Sequence, residues 1–213
     1  MRNRLLSHRG CWIQGYEKNS LEAFRRSFAE GYGVETDIRD QNGTIVISHD
    51  VPSVPCVSLQ AFLKEAIQNS TGEPRTLALN VKSDGLADLL IKSLLDYRSL
   101  DCFVFDMSVP DMRSYLHSHI SVFTRLSDAE PVPAWLDMSE GVWLDAFKHE
   151  WYDMETIRNL LGINKRVCIV SPELHGRSHL PLWDSLKALW HNPDVFLCTD
   201  YPDEALAYFS RSV

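Results

Sequence analysis

Short apolar runs alternate with helical patterns along the whole chain. Runs rich in β-branched and aromatic residues predict strands at Arg4–His8, Val34–Ile38, Thr44–Ser48, Thr76–Val81, Cys102–Asp106, Ser121–Thr124, Gly141–Ala146, Arg166–Val170 and Asp194–Cys198. Between them, apolar positions at helical spacing predict helices over Ser20–Glu30, Leu59–Asn69, Leu86–Tyr97, Pro110–His117, Met154–Leu161 and Leu182–Trp190, with a last helix at Pro202–Ser210. Pro131–Ser139 is expected to hold a short helix. The first helix shows the local logic. Asn19 or Ser20 caps it, Glu22 follows Asn19 at capping-box spacing, and Leu21, Phe24 and Phe28 share one face.

Asn42-Gly43 joins the second and third runs and is a strong tight-turn signal. These two runs therefore read as a hairpin that extends the second strand position, which leaves eight strand positions, each followed by a helix or helix-like segment. Strict alternation of this kind implies a parallel sheet. Eight repeats close most economically into a (β/α)8 TIM barrel, here a single domain over 1–213 with a short hairpin on its second strand. A doubly wound open sheet is the alternative.

Three polar triplets interrupt the first apolar strands: Ser7-His8-Arg9 before Gly10, Glu35-Thr36-Asp37, and Ser48-His49-Asp50. Burying such groups is costly unless they are paired or bind a metal, so their recurrence marks one site. In a barrel the carboxyl ends of the strands carry that site. Glu35 and Asp37 lie two apart and share a strand face. Two carboxylates facing a barrel interior repel each other unless a cation lies between them, and a hard divalent ion such as Mg²⁺ or Ca²⁺ suits oxygen ligands. Alternatively one of them pairs with Arg9 or Arg39 and no metal binds. His8 and His49 reach the same rim from separate strands, and imidazole serves as both base and acid near neutral pH. Lys82, sharing a face with Asn80, is a candidate to hold a phosphate oxygen. Asp106, Arg125, Asp145, Trp143 and Phe147 are further rim candidates, with core packing favoured for Trp143. His117, His119, His149, His179 and His191 read as isolated solvent or cap residues.

Composition narrows the partners. The 213 residues carry a formal charge of −8, which argues against a nucleic-acid partner, since phosphate neutralisation needs a basic face. An anionic substrate must therefore meet local positive charge or a metal. The five cysteines form no CxxC pair, and Cys102, Cys168 and Cys198 lie in apolar strands, where thiols behave as small hydrophobes. With no apolar signal core and no run near the ~20 residues of a membrane span, the expectation is a cytoplasmic protein with no integral membrane segment.

The ordered segments His8-Arg9-Gly10, Asn19-Ser-Leu-Glu-Ala-Phe24, Glu35-Thr-Asp-Ile38 and Asn42-Gly-Thr-Ile-Val-Ile-Ser-His-Asp50 resemble the glycerophosphodiester phosphodiesterase family, within the phosphatidylinositol-phospholipase-C-like barrels. Cys198-Thr-Asp-Tyr-Pro-Asp203 resembles the end of that family's eighth strand. The resemblance implies a small phosphodiester substrate cleaved to a phosphomonoester and an alcohol. It further implies His8 and His49 as the acid/base pair, Arg9 and Lys82 on phosphate, and Glu35 and Asp37 on one divalent cation. A cyclic phosphate would form first and then be opened by water. Two departures stand out. Asn80 occupies the place of a metal-binding carboxylate, and an amide oxygen there removes one negative charge; Glu173 is the candidate to compensate and complete a Glu35, Asp37, Asn80, Glu173 metal set. Only Val51–Val57 separates His49-Asp50 from the next helix, where the family inserts a longer cap. A weakly active or non-catalytic phosphate-binding barrel and a cyclising lyase are the rival readings.

Overall fold

The structure, a computed structural model, describes residues 1–68 and 74–210. Its strands are β1 (Leu5–His8), β2 (Gly33–Gln41), β3 (Thr44–Ile47), β4 (Val57–Ser58), β5 (Thr76–Val81), β6 (Asp101–Phe105), β7 (Ser121–Leu126), β8 (Gly141–Leu144), β9 (Arg166–Val170) and β10 (Val195–Thr199). β1, β2 and β5 to β10 pair in parallel, and β10 returns to β1, so eight strands close into a ring. The fold is the expected (β/α)8 TIM barrel, and the open doubly wound sheet is excluded by the closure of β1 on both β2 and β10.

The Asn42-Gly43 turn has φ of 52° and 76°, the two positive values a tight I′ turn requires. It folds β3 back antiparallel on β2 outside the ring. The short β4 then pairs with β3, an addition the sequence pattern did not reveal because two residues carry no periodicity.

Outside the ring lie α1 (Leu21–Glu30), α2 (Leu59–Gln68), α3 (Ala87–Leu94), α4 (Val109–Leu116), α5 (Met154–Gly162), α6 (Leu180–Leu186) and α7 (Pro202–Ser210). The expected end of α2 at Asn69 lies outside the described residues. After β7 the expected helix is a single 3₁₀ turn, Leu136–Met138, in a segment broken by two prolines. α6 starts earlier than expected, because Pro181 is tolerated in its first turn. Ser20 caps α1, accepting from the Ala23 amide, which frees Asn19 for another task.

Side chains alternate along each strand, and this sorts the core into layers. On β6, Phe103 and Phe105 point into the barrel, whereas Val104 packs outward under the helices. Phe103 stacks on Phe123 and Phe105 on Trp143, each pair at 3.8 Å between ring centroids. Cys168 and Cys198 fill the remaining interior space as small apolar groups. Gly141 is required here, since a Cβ would fall 2.5 Å from the Phe123 ring. With the lower and middle barrel filled by rings, polar side chains gather at the carboxyl ends of the strands.

Candidate active site

The loop after β1 is shaped by backbone conformation. Arg9 and Gly10 both have positive φ, at 59° and 86°, and a Cβ on Gly10 would lie 2.8 Å from the Ala23 backbone. The His-Arg-Gly sequence is thus a tight reversal against α1 that leaves His8 and Arg9 at the barrel mouth. Glu17 braces the loop, pairing with Arg26 at 3.0 Å and accepting the Ile13 and Gln14 amides.

His8 Nδ1 lies 2.7 Å from Asp200 Oδ1, and its Nε2 lies 3.9 Å from Glu35 Oε2. Asp200, just past β10, also faces Lys18 at 3.6 Å. Burial pushes the Asp200 carboxyl up, but the hydrogen bond and charge of His8, with the charge of Lys18, outweigh it and hold the group below the usual carboxylate range. An ionised Asp200 fixes the proton on Nδ1 and leaves Nε2 free toward the cavity.

Glu35 and Asp37 both point inward from β2 and are buried. Asp37 is held from three directions, by Arg9 Nε at 2.9 Å, Asn19 Nδ2 at 2.9 Å and Lys82 Nζ at 3.5 Å. Asn19 also accepts from Thr36, so it belongs to the site and not to the helix cap. The pairing of a carboxylate with Arg9 is therefore present; Arg39 instead donates to the His49 carbonyl. Asn80 sits beside Asp37 in the β2–β5 register, its amide 3.4 Å from Glu35 Oε1.

Glu35 is the perturbed acid of the site. Burial and then the Asp37 charge push its pKa up to about 7, against the pull of His8, Arg9 and Lys82. The folded protein therefore binds more protons than the unfolded chain between pH 4.5 and about 7, and stability falls as pH rises through that window. With chelator present, Glu35→Gln is expected to be more stable than the parent at pH 8 by roughly 3 kcal/mol and nearly equal to it at pH 4.5, read by urea unfolding. Parallel pH profiles for the two proteins would contradict this origin of the shift.

The donors suit a hard cation. Glu35 Oε2, Asp37 Oδ1 and Asn80 Oδ1 are buried oxygens without hydrogen-bond partners on adjoining strands. Among the described residues no group of three His, Cys, Asp or Glu side chains is placed to hold a metal, so any cation here would meet two carboxylates and the Asn80 amide oxygen. Glu173 does not join them, contrary to expectation. It lies in a 3₁₀ turn, Pro172–His175, where its carboxylate accepts from the Thr199 hydroxyl and, at 3.2 Å, from the Asp200 amide. The turn after β9 carries it toward β10, and its second carboxylate oxygen, Oε2, is buried without a hydrogen-bond partner 4.0 Å from His179 Nδ1. Its effect on the site is to brace the loop that carries Asp200.

His8, Arg9, Glu35, His49, Asn80 and Lys82 line one cavity of about 360 Å³. The two histidines differ in support. The His49 side chain is 47% exposed and leans on Asp50, itself 92% exposed, whereas His8 is 16% exposed and held by Asp200. The short Val51–Val57 connection leaves His49 without a cover.

The far wall of the cavity contains Asp106, Arg125, Asp145, Phe147 and His175. Asp106, with φ of 70°, turns its carboxylate between Lys82 at 3.5 Å and Arg125 at 2.7 Å. Arg125 reaches Asp145 at 3.4 Å, and Asp145 meets His175 Nε2 at 2.7 Å. Charges of alternating sign thus run around the mouth from Arg9 to Asp145, where the His175 ring closes the row. Asp200, Lys18 and His175 were not singled out from the sequence; they lie in loops, where no periodicity marks a direction. His179 is not isolated either, since it contacts Glu204 at 3.3 Å and packs on Trp183.

No family profile matches the chain, and no curated protein matches it in sequence. Solved structures do match. A glycerophosphodiester phosphodiesterase from Agrobacterium tumefaciens superimposes with a TM-score of 0.67 at 12% identity, over 97% of this chain and 98% of the other. A glycerophosphoryl diester phosphodiesterase from Parabacteroides distasonis gives 0.66 at 15% identity, over 98% and 86%. The chain has the fold of these phosphodiesterases. Both superpositions run over nearly the whole barrel, so the likeness covers every strand that supplies a residue to the mouth. No helix among the described residues is long and apolar enough to cross a membrane.

Proposed function

We propose that the protein is a phosphoric diester hydrolase that cleaves a small phosphodiester of the glycerophosphodiester class to a phosphomonoester and an alcohol. The observation that carries this reading is the His8–Asp200 couple, whose His8 lines the same cavity as the cations Arg9 and Lys82 and the second imidazole, His49.

Arg9 and Lys82 attract the phosphate into a mouth that is otherwise acidic overall. His8 Nε2, freed by the Nδ1 contact with Asp200, takes the proton of the attacking oxygen, and Asp200 stabilises the imidazolium that results. His49, exposed at the rim of the mouth, gives a proton to the departing alcohol. Glu35, Asp37 and Asn80 would hold one divalent cation, Mg²⁺ or Ca²⁺. Bound there, it would supply positive charge against the non-bridging phosphate oxygens and relieve the repulsion between the two carboxylates.

One observation favours a second reading, a phosphate-ligand-binding barrel. Asp37 is already compensated by Arg9 and Lys82, and Asn80 carries no charge, so the cluster is close to neutral without a metal. A panel of phosphodiesters assayed with and without chelator, with products read by phosphorus NMR, separates the cases. The hydrolase reading expects a phosphomonoester, a fall in turnover of at least ~10-fold on chelation, and recovery with Mg²⁺ or Ca²⁺. A cyclic phosphate as end product would mean a lyase, and ligand binding without turnover would mean a binding barrel.

A further inference from the structure

The half of the mouth formed by β7, β8 and the turn after β9 has no role in the reading above, yet it is built with buried, oriented polar groups. Asp145 is 4% exposed at the end of β8. Its carboxylate accepts from the Ala146 amide at 2.8 Å, meets His175 Nε2 at 2.7 Å and Arg125 at 3.4 Å. Phe147 and the His175 ring meet in a T-shaped contact at 5.2 Å, and the Phe147 face covers the Arg125 guanidinium at 5.0 Å.

The chemistry of this half differs from that of the His8 half. Arg125 is matched by two carboxylates, Asp106 and Asp145, so it offers no uncompensated charge to a second phosphate. Because a carboxylate only accepts, a neutral His175 ring carries its proton on Nε2 and leaves Nδ1 as an acceptor. That nitrogen has no protein partner among the described residues, and the ring lines the cavity. Trp143 and Phe147 add aromatic surface to the same wall. An oriented acceptor beside aromatic surface, with its cation neutralised, suits a hydroxyl-bearing carbon chain and not an anion.

We propose that His175, positioned by Asp145 and Arg125, is the specificity residue that binds a hydroxyl of the substrate's polyol portion. The proposal rests on the phosphodiesterase reading and deepens it, dividing the mouth into a phosphate half around Arg9 and Lys82 and an alcohol half around His175.

The test uses the full-length protein and two probes, glycerol 3-phosphate and inorganic phosphate, with binding followed by calorimetry and by nitrogen NMR of the imidazoles. Glycerol 3-phosphate is expected to move the His175 ring signals, and inorganic phosphate is not. His175→Ala is expected to weaken glycerol 3-phosphate at least ~10-fold, the factor expected from about 1.4 kcal/mol of a lost hydrogen bond, while inorganic phosphate affinity stays within twofold. His175→Asn, which keeps an amide group near the Nδ1 position, is expected to recover part of the loss. In turnover of a glycerophosphodiester, KM should rise more than kcat falls. Equal weakening of both probes by His175→Ala would mean a structural role and overturn the subsite. So would unchanged affinity for both. A parent protein that neither turns over phosphodiesters nor binds either probe would instead overturn the phosphodiesterase reading beneath it.

Discussion

Replacing His8 with alanine is expected to lower kcat on a phosphodiester at least ~100-fold, the low end of what a positioned acid or base contributes. The thermal midpoint should hardly move, because His8 lies at the end of a strand whose core contacts come from Leu5 and Leu6. His49→Ala is expected to give a loss of similar size by removing the proton donor. Asp200→Asn should fall between parent and His8→Ala, since it leaves the imidazole in place but removes the charge that fixes its tautomer and stabilises its protonated form. Steady-state kinetics on the three variants, with circular dichroism to verify folding, checks the set. Near-normal kcat in His8→Ala would remove that residue from the chemistry and with it the main support for the hydrolase reading.

Arg125→Met carries the largest expected effect on stability. The guanidinium lies between Asp106 and Asp145 and is largely enclosed, so its removal strands carboxylate charge in a poorly solvated place. Losing one partner of a buried ion pair costs about 3–5 kcal/mol. The low end, about 3 kcal/mol, is expected, because Asp106 keeps Lys82, and Asp145 keeps His175 and the Ala146 amide. Arg125→Lys should recover only part of the loss, since one ammonium cannot bridge two carboxylates as a planar fork does. Urea unfolding measures both. A loss below 1 kcal/mol for Arg125→Met would show that water, not the arginine, compensates these acids.

How much of this the sequence announces depends on where each residue lies. Residues on strands announce their direction. Glu35 and Asp37 are two apart, and so are Asn80 and Lys82, so their shared faces follow from the two-residue period alone. The Asn42-Gly43 turn and the βα alternation set the hairpin and the barrel in the same way, because local backbone preference and burial agree along the chain.

Loop residues announce nothing of the kind. Asn19 reads as a helix cap until the β1–α1 loop is seen to carry it onto Asp37, and Glu173 reads as a spare metal ligand until the turn after β9 aims it at Thr199 and Asp200. Asp200 and His8 stand at opposite ends of the chain and meet only because β10 closes the ring on β1.

The sequence by itself determined the order of the eight βα units, the hairpin on the second and the inward carboxylate pair, since each rests on short-range periodicity and turn chemistry. Tertiary structure alone decided which acid orients which histidine and which cation holds which acid. Those pairings depend on ring closure and on loop paths with no repeating pattern, so they exist only once distant strand ends are brought to one mouth.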